Sequence, residues 1–178
     1  EDYKRENGGI IFPNPNAPTG VLEDLFMIEE VLKANANVVG MIDEAYKDFW
    51  GVSALSLLEK YENLLVIQTF SKSRAMAGMR IGFAIGNVKL IQYLNDVKFS
   101  FNSYTMNQTS IAMGVACVKD DAYFKEIVGK VVATRERVKK ELKKLGFSFP
   151  DSMSKHIRNG GFFLQWNAIV RHSSYTFL

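Results

Sequence analysis

Short apolar runs alternate with amphipathic stretches along most of the chain. Gly8–Phe12 ("GGIIF") is an apolar run stopped by Pro13–Gly20 ("PNPNAPTG"), where three prolines and a glycine leave no room for regular structure. That predicts a buried strand entering a shaped loop. Leu22–Asn35 repeats its apolar residues at helical spacing. Val38–Asp43, an apolar run ending in an acid, predicts a second strand, Leu64–Phe70 a third and Arg80–Gly86 a fourth. Leu55–Asn63 fits a helix between the second and third. From Val88 the pattern turns helical, through "VKLIQYLNDVK" and then a run from Met106 to Val118. A long amphipathic helix follows from about Ala122 to Leu145, stopped by Gly146.

Strands alternating with helices predict an α/β fold, a mostly parallel sheet with helices on both faces and the fourth strand antiparallel. Ligand sites in such sheets lie at the carboxyl ends of the strands. Three polar clusters fall there: Asn14–Gly20, Asp43–Tyr46 and Thr69–Lys72. Past Pro150 no helical or strand period is sustained.

Composition narrows the function classes. The chain has 178 residues, 47% hydrophobic and 23% charged, as in an ordinary globular protein. A net charge of +3, with its Lys and Arg scattered, gives no footprint for nucleic acid but is compatible with an anionic small ligand. No apolar run is long enough to span a membrane. The first residues carry no signal-peptide pattern and no initiator methionine, so an internal start is expected. The single Cys117 excludes an intrachain disulfide and a cysteine zinc cluster, and suits a reducing cytosol.

Chemistry gathers around Lys72. A lysine becomes a nucleophile toward an aldehyde when desolvation or neighbouring cations favour its free amine. Thr69, Ser71 and Ser73 offer hydroxyls and Arg74 and Arg80 offer cations. The pattern S-K-x7-R would let one arginine and several hydroxyls clamp a phosphate while the lysine reaches a carbonyl beside it. A solvated loop lysine is the plainer alternative. Asp43 could receive a proton, hold a cation or pair with a protonated ring nitrogen; it could equally cap a helix. "NPNAPTG" fits a rigid turn or a loop shaped around a ligand. His156 and His172 have no acid at useful spacing, so no catalytic role is expected of them. "GGFF" makes a poor phosphate loop, the basic residues of "RERVKKELKK" predict a solvated helix surface, and Cys117 predicts a core position.

In order and spacing, N-P-N-x-P-T-G, D-E-A-Y and T-F-S-K-x5-G-x-R-x-G resemble the class I/II pyridoxal-phosphate aminotransferases of fold type I. "DEAYKDF", "AGMRIGFAIGN" and "TRERVKKELKKLGF" are most similar to the histidinol-phosphate branch. The resemblance covers Gly9 to Ser152. It implies pyridoxal 5'-phosphate as cofactor, covalently held by Lys72. It further implies that Asp43 holds the pyridine nitrogen, Tyr46 its phenolic oxygen, and Thr69, Ser71 and Arg80 the phosphate. The implied substrates are small amino compounds, histidinol phosphate first, with 2-oxoglutarate/glutamate as partner pair, in a cytoplasmic homodimer. A related decarboxylase of phosphorylated amino acids, or an incomplete cradle without turnover, are the alternatives.

The sequence also departs from the family. Ala17 stands where many members have an asparagine toward the cofactor, leaving Asn14 or Asn16 as substitutes. The expected organisation is a central fragment: 1–118 in the cofactor-binding large domain, 119–150 a helix leading toward a missing small domain, and 151–178 an anomalous tail. A mis-joined coding segment would account for that tail. Apolar edges left bare by missing strands are expected to drive aggregation or pairing.

Overall fold

The computed structural model describes residues 2–50, 52–159 and 162–165. Four strands form one sheet in the order β1 (Ile10–Pro13), β2 (Gly40–Asp43), β3 (Leu64–Thr69) and β4 (Gly82–Gly86). β1, β2 and β3 run parallel, with Pro13 beside Asp43 and Asp43 beside Ile67, while β4 is antiparallel and pairs Gly82 with Thr69. All three parallel strands therefore deliver their carboxyl ends to one edge. The four strands and the reversed direction of the last agree with the sequence pattern.

Strand alternation sorts the core. Ile42, Leu64 and Val66 share one face and are buried with Ile28 and Leu32 of helix α1 (Leu25–Ala34), one turn apart on the helix. A Cβ on Gly40 would stand 2.6 Å from Leu32 Cδ2, so the missing side chain lets α1 settle onto the sheet. Each such buried aliphatic contributes roughly 1.5–3 kcal/mol of transfer free energy. On the opposite face Ile11 is 67% exposed. The helix expected at Leu55–Asn63 is only a 3-10 turn at Ala54–Leu57, started by Ser53 accepting the Leu55 N–H. Leu55, Leu57, Leu58 and Tyr61 all pack on the α1 cluster. Their burial needs a compact turn, and the apolar count alone suggested a helix.

Helices α2 (Val88–Phe101), α3 (Gln108–Lys119) and α4 (Asp121–Lys144) follow. The side chains of Asn87, Asn107 and Asp120 each accept a backbone N–H of the first turn, which is how such residues start helices. At the end of α4, Gly146 has φ +82°, its N–H bonds Lys143 O, and the Phe147 N–H bonds Leu142 O. This left-handed stop is the one the glycine predicted.

α4 corrects one expectation. Val131, Arg135 and Lys139 lie four residues apart on one stripe and all are buried, Arg135 at 3% exposure. The basic run is thus partly an interior face. It packs against the 3-10 turn Lys47–Phe49 and against residues beyond the helix.

The segment past Pro150 also differs from its aperiodic sequence. β5 (His156–Asn159) and β6 (Phe162–Gln165) form an antiparallel pair. Ser152 and Ser154 before it are fully buried. Their burial follows from long-range contacts that no local period records. His172, Gly160 and Gly161 lie outside the described residues.

Candidate active site

The carboxyl edge of the sheet is knit together by backbone bonds. Asn14 N donates to Asp43 O, and Glu44 N to Ile67 O, both at 2.8 Å. The Pro13–Gly20 loop is then fixed by its own asparagines. Asn14 exchanges bonds with both the N–H and the carbonyl of Glu23, and Asn16 Nδ2 donates to Thr19 Oγ1 at 2.7 Å. Both amides bond within the loop. Ala17 packs beside the buried cluster of Tyr46, Phe49 and Val131.

Asp43 is not a helix cap. One carboxylate oxygen accepts the Ala45 N–H at 2.9 Å, closing a tight turn in which the acid orients itself at the strand end. Its neighbour Glu44, unremarked in the sequence, is buried and satisfies three donors: Ser53 Oγ, the Ala54 N–H and Gln68 Nε2, at 2.6, 2.6 and 2.8 Å. Tyr46, two residues further, is buried, and the Lys72 ammonium lies 5.2 Å from its ring centroid. That is cation–π range.

Lys72 sits on a loop held at both ends. Thr69 Oγ1 lies 3.0 Å from Ser71 Oγ and 3.1 Å from Ile81 O, and accepts the Ser71 N–H at 3.1 Å. Ala75 and Arg80 have φ of +53° and +56°, a left-handed backbone that costs a non-glycine residue about 1–3 kcal/mol. α3 offsets this: Ser110 Oγ donates to Met79 O at 2.8 Å, and Gly114 sits close enough that a Cβ would stand 2.9 Å from Ile81 Cδ1. Ser73 is tied to Asp48, which joins this loop to the Tyr46 turn.

The two arginines go elsewhere. Arg74 stacks on Phe124, 4.0 Å from the ring centroid, and its Nη1 donates to Cys117 O at 3.1 Å. It secures α3 and α4, and Cys117 is half-buried beside it. Arg80 is exposed with its Nη1 on Ala77 O at 3.0 Å. Asp43, Tyr46, Thr69, Ser71 and Lys72 thus lie together at the carboxyl end of the sheet, while the Arg80 guanidinium is exposed and held on the Ala77 carbonyl.

A histidine completes the surroundings. His156, 3% exposed, meets the Tyr46 ring edge-on with centroids 4.9 Å apart. Burial first, then the ammonium groups of Lys155 and Lys72, push its imidazole down to about 4. Burial and Lys72 likewise lower Lys155. No sequence spacing links His156 to Tyr46, and its place came to light only with the fold.

The donor set suits an aldehyde-bearing, phosphorylated ring: an amine, a carboxylate, a phenol and paired hydroxyls at the carboxyl edge of a mostly parallel sheet. The architecture is that of a partial large domain of the fold-type I transferases. The family model for aminotransferase class I and II matches residues 1–158, and the chain belongs to that family. The match runs four residues past Ser154.

Histidinol-phosphate aminotransferase from Brachyspira hyodysenteriae is 54% identical over 157 residues, covering 88% of this chain and 44% of that protein. The Lactococcus lactis subsp. cremoris enzyme of the same name is 50% identical over 155 residues, with 87% and 44% covered. Among solved structures, the histidinol-phosphate aminotransferase from Clostridium acetobutylicum superposes with a TM-score of 0.76 at 28% identity, over 87% of this chain and 48% of the other. That from Sinorhizobium meliloti, in complex with pyridoxal-5'-phosphate, gives 0.75 at 22%, a likeness of fold, over 84% and 41%. The chain spans less than half the length of these relatives.

Proposed function

We propose that this chain is the cofactor-holding part of a pyridoxal-phosphate-dependent aminotransferase acting on histidinol phosphate, with 2-oxoglutarate as amino acceptor. The observation that carries the reading is the meeting of Lys72, Tyr46 and Asp43 at one sheet edge. The identity to histidinol-phosphate aminotransferases supports the substrate and favours transamination over decarboxylation. Residues 1–118 belong to the large domain and 119–150 to the helix leading out of it, in a cytoplasmic homodimer.

When bound, the cofactor supplies an electron sink for the substrate carbanion. Lys72 would supply the amine for the cofactor's aldehyde and would move the proton at the substrate Cα. The Asp43 carboxylate keeps the ring nitrogen protonated, and Tyr46 donates to the phenolic oxygen. Thr69 and Ser71 hold the phosphate through hydroxyls and the Ser71 N–H. Arg80 would add its guanidinium to that phosphate set, in exchange for its present bond to the Ala77 carbonyl.

The test is to add pyridoxal 5'-phosphate and follow the visible absorbance of the Lys72 linkage, with Lys72→Ala as control. Borohydride reduction and peptide mass then locate the adduct. Absorbance in the parent alone, with the adduct on Lys72, is expected; absorbance in both proteins or in neither would overturn the reading. Histidinol phosphate set against aspartate as donor then decides the substrate.

A further inference from the structure

The segment from Ser152 to His156 crosses the mouth of the Pro13–Gly20 loop and ends against Tyr46. Its attachment is specific at every step. Met153 N donates to Gly20 O at 2.8 Å. Gly20 has φ +77°, and a Cβ there would fall 2.1 Å from Ser152 Oγ, so the segment lies where the glycine leaves room. Ser152 Oγ bonds the His156 carbonyl, and Ser154 Oγ accepts the His156 N–H at 3.1 Å and lies 3.3 Å from Nδ1. The backbone and ring of His156 are therefore both oriented by buried hydroxyls.

Arg135 ties this segment to the Tyr46 turn. Its Nη1 donates to Ser154 O at 3.2 Å and to Phe49 O at 3.3 Å. Ser154 precedes His156 by two residues, and Phe49 donates its own N–H to Tyr46 O at 3.1 Å. One buried guanidinium thus holds two backbones whose side chains, His156 and Tyr46, touch each other. The same Tyr46 ring also receives Lys72, with its ammonium 5.2 Å from the centroid.

We propose that His156 is a positioning residue of the Lys72 site: clamped through Ser154 by Arg135, its ring edge fixes the Tyr46 ring beneath the Lys72 ammonium. The inference rests on Lys72 being the reactive amine. Electrostatics agrees with the geometry. The imidazole is uncharged at neutral pH, so it offers Tyr46 a neutral edge and leaves the electron-rich ring to Lys72. A protonated ring there would compete with the ammonium for the same aromatic surface.

Two substitutions separate positioning from mere filling. His156→Leu keeps apolar volume but removes the ring edge, whereas His156→Phe keeps the edge and loses the nitrogens. At matched thermal stability, apparent affinity for pyridoxal 5'-phosphate is expected to fall about three- to tenfold in the Leu variant and to recover in the Phe variant. In the cofactor-free chain, aromatic NMR on labelled tyrosine should show the Tyr46 ring flipping faster in the Leu variant only. Unchanged Tyr46 flipping in His156→Leu would overturn the proposal, whatever the cofactor does. Equal loss of affinity in both variants would overturn it too. Failure of the parent chain to form the linkage, with the flipping pattern as expected, would instead count against Lys72 as the amine and so against the positioning role built on it.

Discussion

The imidazole of His156 stands at 70° to the ring of Tyr46, with 4.9 Å between centroids and almost no solvent access. That contact ties the tail of the described chain to the D-E-A-Y turn and makes the fold sensitive to acid. The folded-state value of about 4 lies below the ordinary imidazole value of 6.5. Above 6.5 the ring is neutral in both folded and unfolded chains and contributes no pH dependence. As pH falls from 6.5 to about 4, the unfolded chain takes up a proton that the folded chain refuses, and stability drops. The loss is at most about 1.4 kcal/mol per pH unit over that window. Denaturant midpoints measured across it should fall for the parent protein, and the slope should shrink in His156→Phe.

Gly20 is expected to tolerate no side chain. Its φ of +77° already strains any other residue, and the space a Cβ needs is held by Ser152. Gly20→Ala should destabilise the fold by about 1–3 kcal/mol. Pairing it with Ser152→Gly should return the part due to the clash and leave the part due to backbone strain. Chemical denaturation of the two single variants and the double variant measures both parts.

Much of this architecture was legible because each strand is a short apolar run ended by turn chemistry. Ile10–Pro13, Gly40–Asp43 and Leu64–Thr69 stop where prolines, acids and hydroxyls begin, and those stops gather the candidate site residues. Local pattern could not place groups whose environment is made by distant chain. Arg135 and Lys139 look solvated in a run of charges, yet both are buried, Arg135 against Phe49 and Ser154 and Lys139 beside Asp151. His156 has no sequence signal because its partner lies far back in the chain. The motif spacing pointed to Arg80 for the phosphate, but it could not show that Arg74 is taken up by Phe124 and Cys117 or that Arg80 rests on the Ala77 carbonyl.

Glu44 is a stability prediction hidden inside a functional motif. It is buried, and its carboxylate joins the Ser53 turn to β3 through Gln68. Glu44→Ala leaves those donors in the interior without an acceptor and should cost about 2–4 kcal/mol. Thermal unfolding of the cofactor-free chain checks this. A loss seen only in cofactor binding, with stability intact, would move Glu44 from the scaffold to the ligand.

The surface of α2 and α3 predicts self-association of the 178-residue chain. Tyr93, Val97 and Phe101 lie four residues apart along α2, and Ile111, Val115 and Val118 repeat similarly on α3; all are exposed. Such stripes are core faces by pattern, and contiguous apolar surface of this kind favours association. Tyr104 between the helices is 95% exposed. Burial of roughly 25 cal/mol per Å² of apolar area drives the stripes together. Sedimentation velocity should therefore show concentration-dependent oligomers at low micromolar protein. Val97→Glu with Phe101→Glu should shift the population toward monomer without lowering the unfolding midpoint, because neither side chain supports the folded core. A clean monomer in the parent chain would show that these helices keep their apolar faces in water unaided.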